Sequence, residues 1–128
     1  MNHYAVEPMA KPRMTRSDKW NKRDCVLRYR AYKDELRLRR VELPESGVRI
    51  TFTLPMPASW SRKKWIEMLG QPHQQKPDVD NLHKGLLDAI FTDDCRVWDH
   101  WIRKVWGHSG GVTVETFEEI NNRQRAAA

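Results

Sequence analysis

The sequence contains no apolar run that approaches the roughly 20 residues of a membrane-spanning helix, and its first residues lack the apolar core of a signal peptide. It has only two cysteines, Cys25 and Cys95, with no second cysteine near either. We therefore expect a cytoplasmic protein without a membrane partner, in which both cysteines are thiols; a disulfide is the less favoured alternative. There is no internal repeat and no low-complexity segment, so the 128 residues predict one domain with one core.

Positive charge is in excess and unevenly distributed. The net charge is +6, and residues 11–40 hold twelve basic side chains against four acidic ones, so this segment carries +8 and the rest of the chain −2. Such asymmetry suits a polyanionic partner, with nucleic acid ahead of a membrane surface, although a solvated helix face has the same composition. The DNA-contacting residues expected in this segment are Arg13, Arg16, Lys19, Lys22 and Arg23.

The first half of the chain predicts a short strand, a basic loop, a helix and a second strand. Asp18 can cap a helix over residues 19–41. Residues 48–54 alternate apolar and polar side chains, which is typical of a half-buried strand. A short helix follows, with Ser59 or Ser61 as its N-cap.

The second half predicts a helix and a strand hairpin. Apolar residues at helical spacing indicate a helix over residues 79–90, and residues 95–106 and 111–120 indicate two strands joined by a glycine turn. The order of elements predicts a single small α+β domain over residues 1–121, with a mixed β-sheet and helices packed mainly on one face. Residues 122–128 are expected to be a frayed tail.

Five aspartates lie within the nineteen residues from Lys76 to Asp94, in a chain of net positive charge. Asp78 is a natural helix N-cap, and Asp80 lies in the first turn, where the helix dipole favours its ionised form. Taken singly, such acids are ordinary surface groups. Together, the two acids at the helix start and the Asp-Asp pair before a strand can converge, and crowded carboxylates need a cation between them. Oxygen ligands without paired histidines or cysteines suit Mg²⁺ or Mn²⁺, and such a metal beside a basic surface fits phosphodiester hydrolysis.

The segment PDVDNLHKGLLDAIFTDDCRV resembles the signature of the RusA family of Holliday-junction resolvases, P-D-x-D-N-L-x-K-x-x-x-D-A-[LI] followed by D-D-x-x-V. LPMPASWSRKK and GQPHQQKPD resemble the segments that precede this signature in phage-borne members, and KPRMTR is similar to the Arg-rich N-terminal element. The resemblance covers most of the chain. It implies a prophage-type, Mg²⁺-dependent endodeoxyribonuclease of DNA recombination and repair, for which Mn²⁺ can substitute. It further implies a homodimer whose two active sites cut four-way junctions with paired symmetric nicks.

The resemblance also implies roles for individual residues. It assigns metal binding to three carboxylates and catalysis to these and one lysine: Asp78, Asp80, Asp94 and Lys84. Three further residues match the motif and are expected to support or orient the metal-binding acids: Asn81, Asp88 and Asp93. Only four residues, AIFT, separate Asp88 from Asp93, where some family members have a longer loop. The expected hairpin must therefore begin almost at the end of the helix.

Other residues have two interpretations. Arg62, Lys63 and Lys64 open a short helix, where cations oppose the helix dipole, so DNA contact explains them better than surface decoration. Lys76 either contacts DNA or moderates repulsion among the acids. His73 lies in the loop before Asp78 and could touch a phosphate, whereas the other histidines are expected to be solvated or in the core. The tryptophans of the second half are expected in core and dimer packing ahead of base stacking: Trp60, Trp65, Trp98, Trp101 and Trp106.

Two alternatives to a junction resolvase remain open at the level of sequence. A module of the same fold could bind branched DNA without catalysis, with the acids only capping and pairing. A related metal nuclease could act on flaps or forks, with a different substrate and the same chemistry. Nicking that depends on a divalent metal would exclude the non-catalytic module. A comparison of cleavage on junctions and on forks distinguishes the junction resolvase from the fork or flap nuclease.

Overall fold

A four-stranded sheet and four α-helices make up the part of the chain that the computed structural model describes, residues 1–13 and 23–127. The expected DNA contacts Arg16, Lys19 and Lys22 lie outside these residues. The strands are β1 (Asn2–Tyr4), β2 (Ser46–Pro55), β3 (Asp99–Gly107) and β4 (Gly111–Thr116). The helices are α1 (Asp24–Leu38), α2 (Arg62–Met68), α3 (Val79–Ile90) and α4 (Phe117–Ala127), with one 3-10 turn at Asp94–Arg96. Within the described ranges, no helix is long and apolar enough to cross a membrane.

The sheet is mixed, with the strand order β1-β4-β2-β3. β2 runs parallel to β3 and antiparallel to β4, so that Arg49 lies between Trp101 and Glu115. The prediction of a single α+β domain with a mixed sheet is confirmed. The predicted hairpin is wrong, because β3 and β4 lie on opposite sides of β2. The burial of β2 explains this: Val48, Ile50 and Phe52 are almost fully buried, and a central position supplies neighbours at both edges.

The core lies between one face of the sheet and the helices α1 and α3. Tyr29, Tyr32 and Leu36 of α1 and Leu82 and Leu86 of α3 are buried against the apolar residues of β2. The predicted bounds of α3, residues 79–90, agree with the structure. These contacts make α3 a rigid support, since its apolar side is locked into the core while its other side faces solvent.

One glycine allows the N-terminal segment to cross α3 closely. A Cβ atom on Gly85 would lie closer than 3.0 Å to the backbone carbonyl oxygen of Met9. On the α1 side, the hydroxyl of Tyr29 donates a hydrogen bond of 2.8 Å to the carbonyl oxygen of Gly85. Burial, and then the negative charge of Asp88, raises the pKa of Tyr29 to about 12, so this hydroxyl remains a donor. α3 is therefore held between α1 and the N-terminal segment.

The last strand ends earlier than predicted, and residues 122–127 of the expected frayed tail are helical. Thr116 Oγ1 accepts a hydrogen bond from the backbone N–H of Glu119 at 3.1 Å, and the Glu119 carboxylate accepts from the backbone N–H of Thr116 at 3.4 Å. This reciprocal capping box starts α4 at Phe117 and ends the strand. Arg123 of α4 then pairs with the buried Glu115 of β4.

The loop between α2 and α3 runs along the outer edge of β3. The backbone N–H of Trp106 donates to Gln71 O at 3.0 Å, and the N–H of His73 donates to Lys104 O at 3.1 Å. The Lys104 ammonium also donates to Pro77 O at 2.7 Å. This loop therefore fixes the position at which α3 begins.

Candidate active site

The start of α3 presents two exposed carboxylates. Asp78 is the N-cap residue, and its carbonyl oxygen accepts a hydrogen bond from the backbone N–H of Leu82 at 3.1 Å. Its side chain makes no capping hydrogen bond, which leaves the carboxylate oxygens available. Asp80 lies in the first turn and is also exposed.

Lys84 lies between two carboxylates from different elements. Its Nζ atom is 3.6 Å from Oδ1 of Asp88, one turn later in α3, and 3.4 Å from Oδ2 of Asp94, in the 3-10 turn. The charge of Asp88, followed by the hydrogen bond and charge of Asp94, raises the pKa of Lys84. Because Asp80 precedes Lys84 by four residues, the two side chains lie on the same face of α3. The structure thus brings a protonated lysine together with two of the motif aspartates.

Asp88 has a second cationic partner, which the sequence did not predict. Lys11 Nζ lies 2.8 Å from Oδ2 of Asp88, although the two residues are far apart in the chain. Partial burial opposes ionisation of Asp88, but Lys11 and then Lys84 outweigh it, so the pKa of Asp88 is lowered. No sequence signal pairs Lys11 with Asp88, because their approach depends on the close crossing at Gly85.

Asp93 shapes the turn that presents Asp94. Its side chain caps the 3-10 turn by accepting a hydrogen bond from the backbone N–H of Cys95 at 3.2 Å. Hydrogen bonding from Cys95 lowers the pKa of Asp93. The turn is held to the start of β2 by Arg96, whose Nε donates to the Glu45 carboxylate at 2.9 Å. The short AIFT connection is therefore followed by a capped turn and not directly by a strand.

Two histidines that sequence reasoning treated as unrelated meet beside the acids. His83 Nε2 of α3 and His100 Nδ1 of β3 are joined by a 3.0 Å hydrogen bond. His100 Nε2 lies 2.6 Å from Pro44 O, which can only accept, so His100 Nε2 donates there. Burial and then His100 lower the pKa of His83, opposed by Asp94. The pair ties α3 to β3 next to Asp94; seventeen residues of separation gave no sequence signal for it.

The three expected metal ligands are not gathered around one point. Among residues 1–13 and 23–127, no three His, Cys, Asp or Glu side chains lie close enough to enclose a metal ion. Asp78 and Asn81 line an open depression of about 400 Å³ with Lys76 and Pro77, while Asp94 lies against Lys84. The chemistry of the donors nevertheless fits a hard divalent cation, because they are carboxylates with no cysteine or histidine among them, and Asp78 is free of capping.

The expected DNA-contacting residues are exposed where the structure describes them. Arg62, Lys63 and Lys64 lie on the first turn of α2, and Lys76 lies at the start of the depression beside Asp78. Arg13 and Arg23 are exposed as well, and Nη2 of Arg23 donates to Arg13 O at 2.8 Å.

His73 departs from its suggested phosphate contact. It is only 5% exposed, and its ring lies 4.0 Å from that of Trp106. Burial, followed by the charge of Lys104, lowers the pKa of His73. His73 is therefore a packing residue beneath the loop that leads to Asp78.

These features define a small basic α+β domain with exposed carboxylates and a protonated lysine along one helix. Residues 4–116 match the family model of Endodeoxyribonuclease RusA, and the chain belongs to this family. Comparisons with curated proteins and with solved structures gave no match. Family membership implies Holliday-junction resolvase activity on branched DNA, and RusA-family nucleases generally depend on a divalent metal. The matched range contains the whole of α3 and nearly the whole sheet, and it ends where α4 begins.

Proposed function

We propose that the chain is a Mg²⁺-dependent endonuclease that cuts four-way DNA junctions by paired symmetric nicks, with Mn²⁺ able to replace Mg²⁺. The observation that carries this proposal is the position of Lys84, held between Asp88 and Asp94 and one turn from Asp80. A surface lysine that only paired with its helix neighbours would not require a contact with the 3-10 turn. The arrangement matches what cleavage of a phosphodiester needs, a positioned cation one turn from the exposed carboxylate of Asp80.

The residues proposed to hold the metal are Asp78, Asp80 and Asp94. All three can supply hard oxygen ligands, and the capped turn at Asp93 holds the backbone of Asp94 in place. When bound, the cation supplies an activated water and positive charge against the scissile phosphate. Asn81 lines the same depression as Asp78 and is proposed to orient that carboxylate.

Lys84 is proposed to act as a positioned cation and not as a base. Its raised pKa keeps it protonated at neutral pH, so it can stabilise negative charge that develops on the phosphate oxygens in the transition state. Asp88 is proposed to position Lys84, because Asp88 is itself held ionised by Lys11. Asp88 can therefore hold the Lys84 ammonium in position while Lys84 keeps its positive charge.

The basic residues are proposed to hold the DNA around this site. Lys76 lies beside Asp78, and α2 supplies a second group of exposed cations. Phosphate contacts of this kind give affinity and register but not sequence recognition. The basic residues of the 11–40 segment extend the same surface according to the sequence.

A homodimer is proposed to supply the second nick. One chain offers one carboxylate–lysine cluster among its described residues, whereas resolution of a four-way junction needs two cuts on opposed strands. Trp98 is 77% exposed and Trp101 is 57% exposed, so the β3 side of the domain offers apolar surface to a second copy. Sedimentation in dilute buffer tests this part directly; a chain that stays monomeric on junction DNA would contradict paired resolution.

The activity is tested with a synthetic four-way junction, a fork and a linear duplex that share arm sequences, each incubated with Mg²⁺ or with EDTA. We expect paired nicks in the junction with Mg²⁺ and intact strands with EDTA. Junction binding without nicking under any divalent metal would favour the non-catalytic module. Faster cutting of the fork than of the junction would favour a fork nuclease with the same chemistry.

A further inference from the structure

An apolar groove on α2 has no role in the cleavage chemistry. It is lined by Trp60, Arg62, Trp65, Ile66, Leu69 and His108, and its volume is about 540 Å³. α2 buries none of its residues, and Ile66 is 70% exposed. Sites for small planar ligands have volumes of roughly 300–1,000 Å³ and mostly apolar walls, so the groove is large enough to take one.

The rim of this groove is strongly positive. Arg62, Lys63 and Lys64 are exposed on the same helix and form no ion pair with any acid in the described ranges. The Lys64 ammonium lies 4.3 Å from the ring centroid of Trp60. An apolar groove with unneutralised cations at its rim is complementary to a ligand that has both a flat apolar face and negative charge. A nucleotide combines the two, because its base can stack on aromatic rings while its phosphate meets the cations.

Aromatic contacts connect the groove to the start of α3. The Trp60 and Trp106 ring centroids are 4.8 Å apart, and those of Trp106 and His73 are 4.0 Å apart. The loop that carries His73 then leads to Pro77, whose carbonyl oxygen accepts from Lys104 at 2.7 Å. The groove and the carboxylates are therefore parts of one packed unit on the β3 side of the domain.

We infer that the α2 groove is a stacking site for an unpaired base of a DNA strand, with the cations of α2 holding the adjacent phosphates. This rests on the proposed action on branched DNA, where bases next to the branch point can leave their stack. The groove gives Trp60 and Trp65 a role in base stacking, where the sequence favoured core and dimer packing. It also gives the basic first turn of α2 a purpose, since these cations oppose the helix dipole and form no ion pair with acids of the described chain.

The test compares a labelled single-stranded oligothymidylate of about 12 nucleotides with an abasic strand that has the same number of phosphates, by fluorescence anisotropy without divalent metal. We expect the wild-type chain to bind the base-bearing strand about tenfold more tightly or better. Trp65→Ala should remove this preference, while Trp65→Phe should keep it, because a phenyl ring still stacks although it loses the indole hydrogen bond to Pro57 O. Leu38→Ala removes an exposed apolar side chain at the end of α1, away from the groove, and should leave the preference unchanged.

If Trp65→Ala fails to fold, Ile66→Asp replaces it, since this side chain is exposed and a carboxylate in the apolar wall of the groove opposes burial of a base there. Equal binding of the two strands by the wild-type chain would overturn the inference, as would an equal loss of preference in Leu38→Ala. A retained preference in Trp65→Ala, with a dimer converted to monomer, would assign the groove to a second copy instead. Junction nicking with Mg²⁺ separates the two proposals. A base preference without nicking would refute the proposed nuclease activity. Nicking without a base preference would refute the proposed stacking site in the groove.

Discussion

The ammonium group of Lys84 lies 3.4 Å from Oδ2 of Asp94, although one residue is in α3 and the other is in the 3-10 turn before β3. This contact closes the short AIFT connection and brings the second group of motif acids against the first. It also distinguishes Asp88 from Asp94, which the order of residues in the motif alone does not do. Asp88 reaches Lys84 from within the same helix, whereas Asp94 reaches it from a different element.

Lys84→Ala should slow the chemical step more than it weakens DNA binding. A positioned cation at the transition state typically contributes about 2–4 kcal/mol, whereas one phosphate contact among many changes affinity modestly. The measurement is the single-turnover cleavage rate at saturating enzyme, with Lys33→Ala on α1 as the charge-matched control. An unchanged rate with weaker binding would make Lys84 a DNA contact only.

Asp80→Asn should abolish cleavage and leave junction binding intact or stronger, and the same holds for Asp78 and Asp94. The amide keeps the shape of the side chain but removes a charged metal ligand and its repulsion of phosphate. Mutation of a residue that only hydrogen-bonds to a metal ligand typically lowers metal affinity or activity about 10–100-fold, so mutation of a ligand itself should lower the cleavage rate by more than that. Asp34→Asn, a substitution of an acid on α1, is the control; cutting by Asp80→Asn near the wild-type rate would refute the metal assignment.

Gly85→Ala should destabilise the domain, contrary to the usual effect of alanine in a helix. The new Cβ atom meets the Met9 carbonyl oxygen, so the N-terminal segment or α3 must shift at a cost of about 1–3 kcal/mol. Denaturant unfolding measures this, and Ala89→Gly later in α3 gives the ordinary preference of about 0.5–1 kcal/mol. The same shift should separate Lys11 from Asp88 and reduce the cleavage rate. A more stable variant would show that the crossing is loose.

The domain should lose stability as the pH falls below the ordinary histidine value of about 6.5. The folded state lowers the pKa of His83 and of His73, so the unfolded chain takes up more protons in this range and acid favours unfolding. His83→Gln should reduce the slope of melting temperature against pH between about pH 7 and 5, with His73 supplying the remainder. His108→Gln, at an exposed histidine, is the control. An unchanged slope in His83→Gln would show that the lowered pKa of His83 does not contribute to unfolding in acid.

Junction binding should depend strongly on salt through the basic segment. Replacing Arg13, Arg16, Lys19, Lys22 and Arg23 by glutamine should weaken binding and flatten the slope of log affinity against log salt by about 0.9 for each phosphate that is no longer neutralised. Anisotropy titrations over a salt series give both quantities. Retention of affinity and slope would mean that these charges only keep the protein soluble.

Local pattern was sufficient to predict α3 and the strand β2, because each follows from adjacent residues. Pairing between strands was not predictable in the same way. The glycine turn at Gly110 and Gly111 favoured a hairpin, but β2 lies between the two strands because its buried residues need a neighbour on both sides. α4 was overlooked although its capping box, Thr116 to Glu119, is visible in the sequence.

The site shows the same division. The motif aspartates and Lys84 were found in the sequence, since the family resemblance depends on their order. The contacts of Lys11 with Asp88 and of His83 with His100 join residues that no short pattern connects. Both contacts depend on how α3 packs against its neighbours. They affect the pKa values of Asp88 and His83, and they do not change which residues are expected to bind the metal.

The pairing of β1 with β4 has a consequence for when this protein can fold. Asn2 lies opposite Val114 and Tyr4 opposite Val112, so the first strand has no partner until the last strand has been made. β2 likewise waits for β3 and β4. Contacts between residues so distant in the chain slow folding, and a ribosome must release nearly all of the domain before its sheet can close. The carboxylates of α3 are thus synthesised before β3 and β4, and the nascent chain should complete the support of these carboxylates only after both strands have left the ribosome.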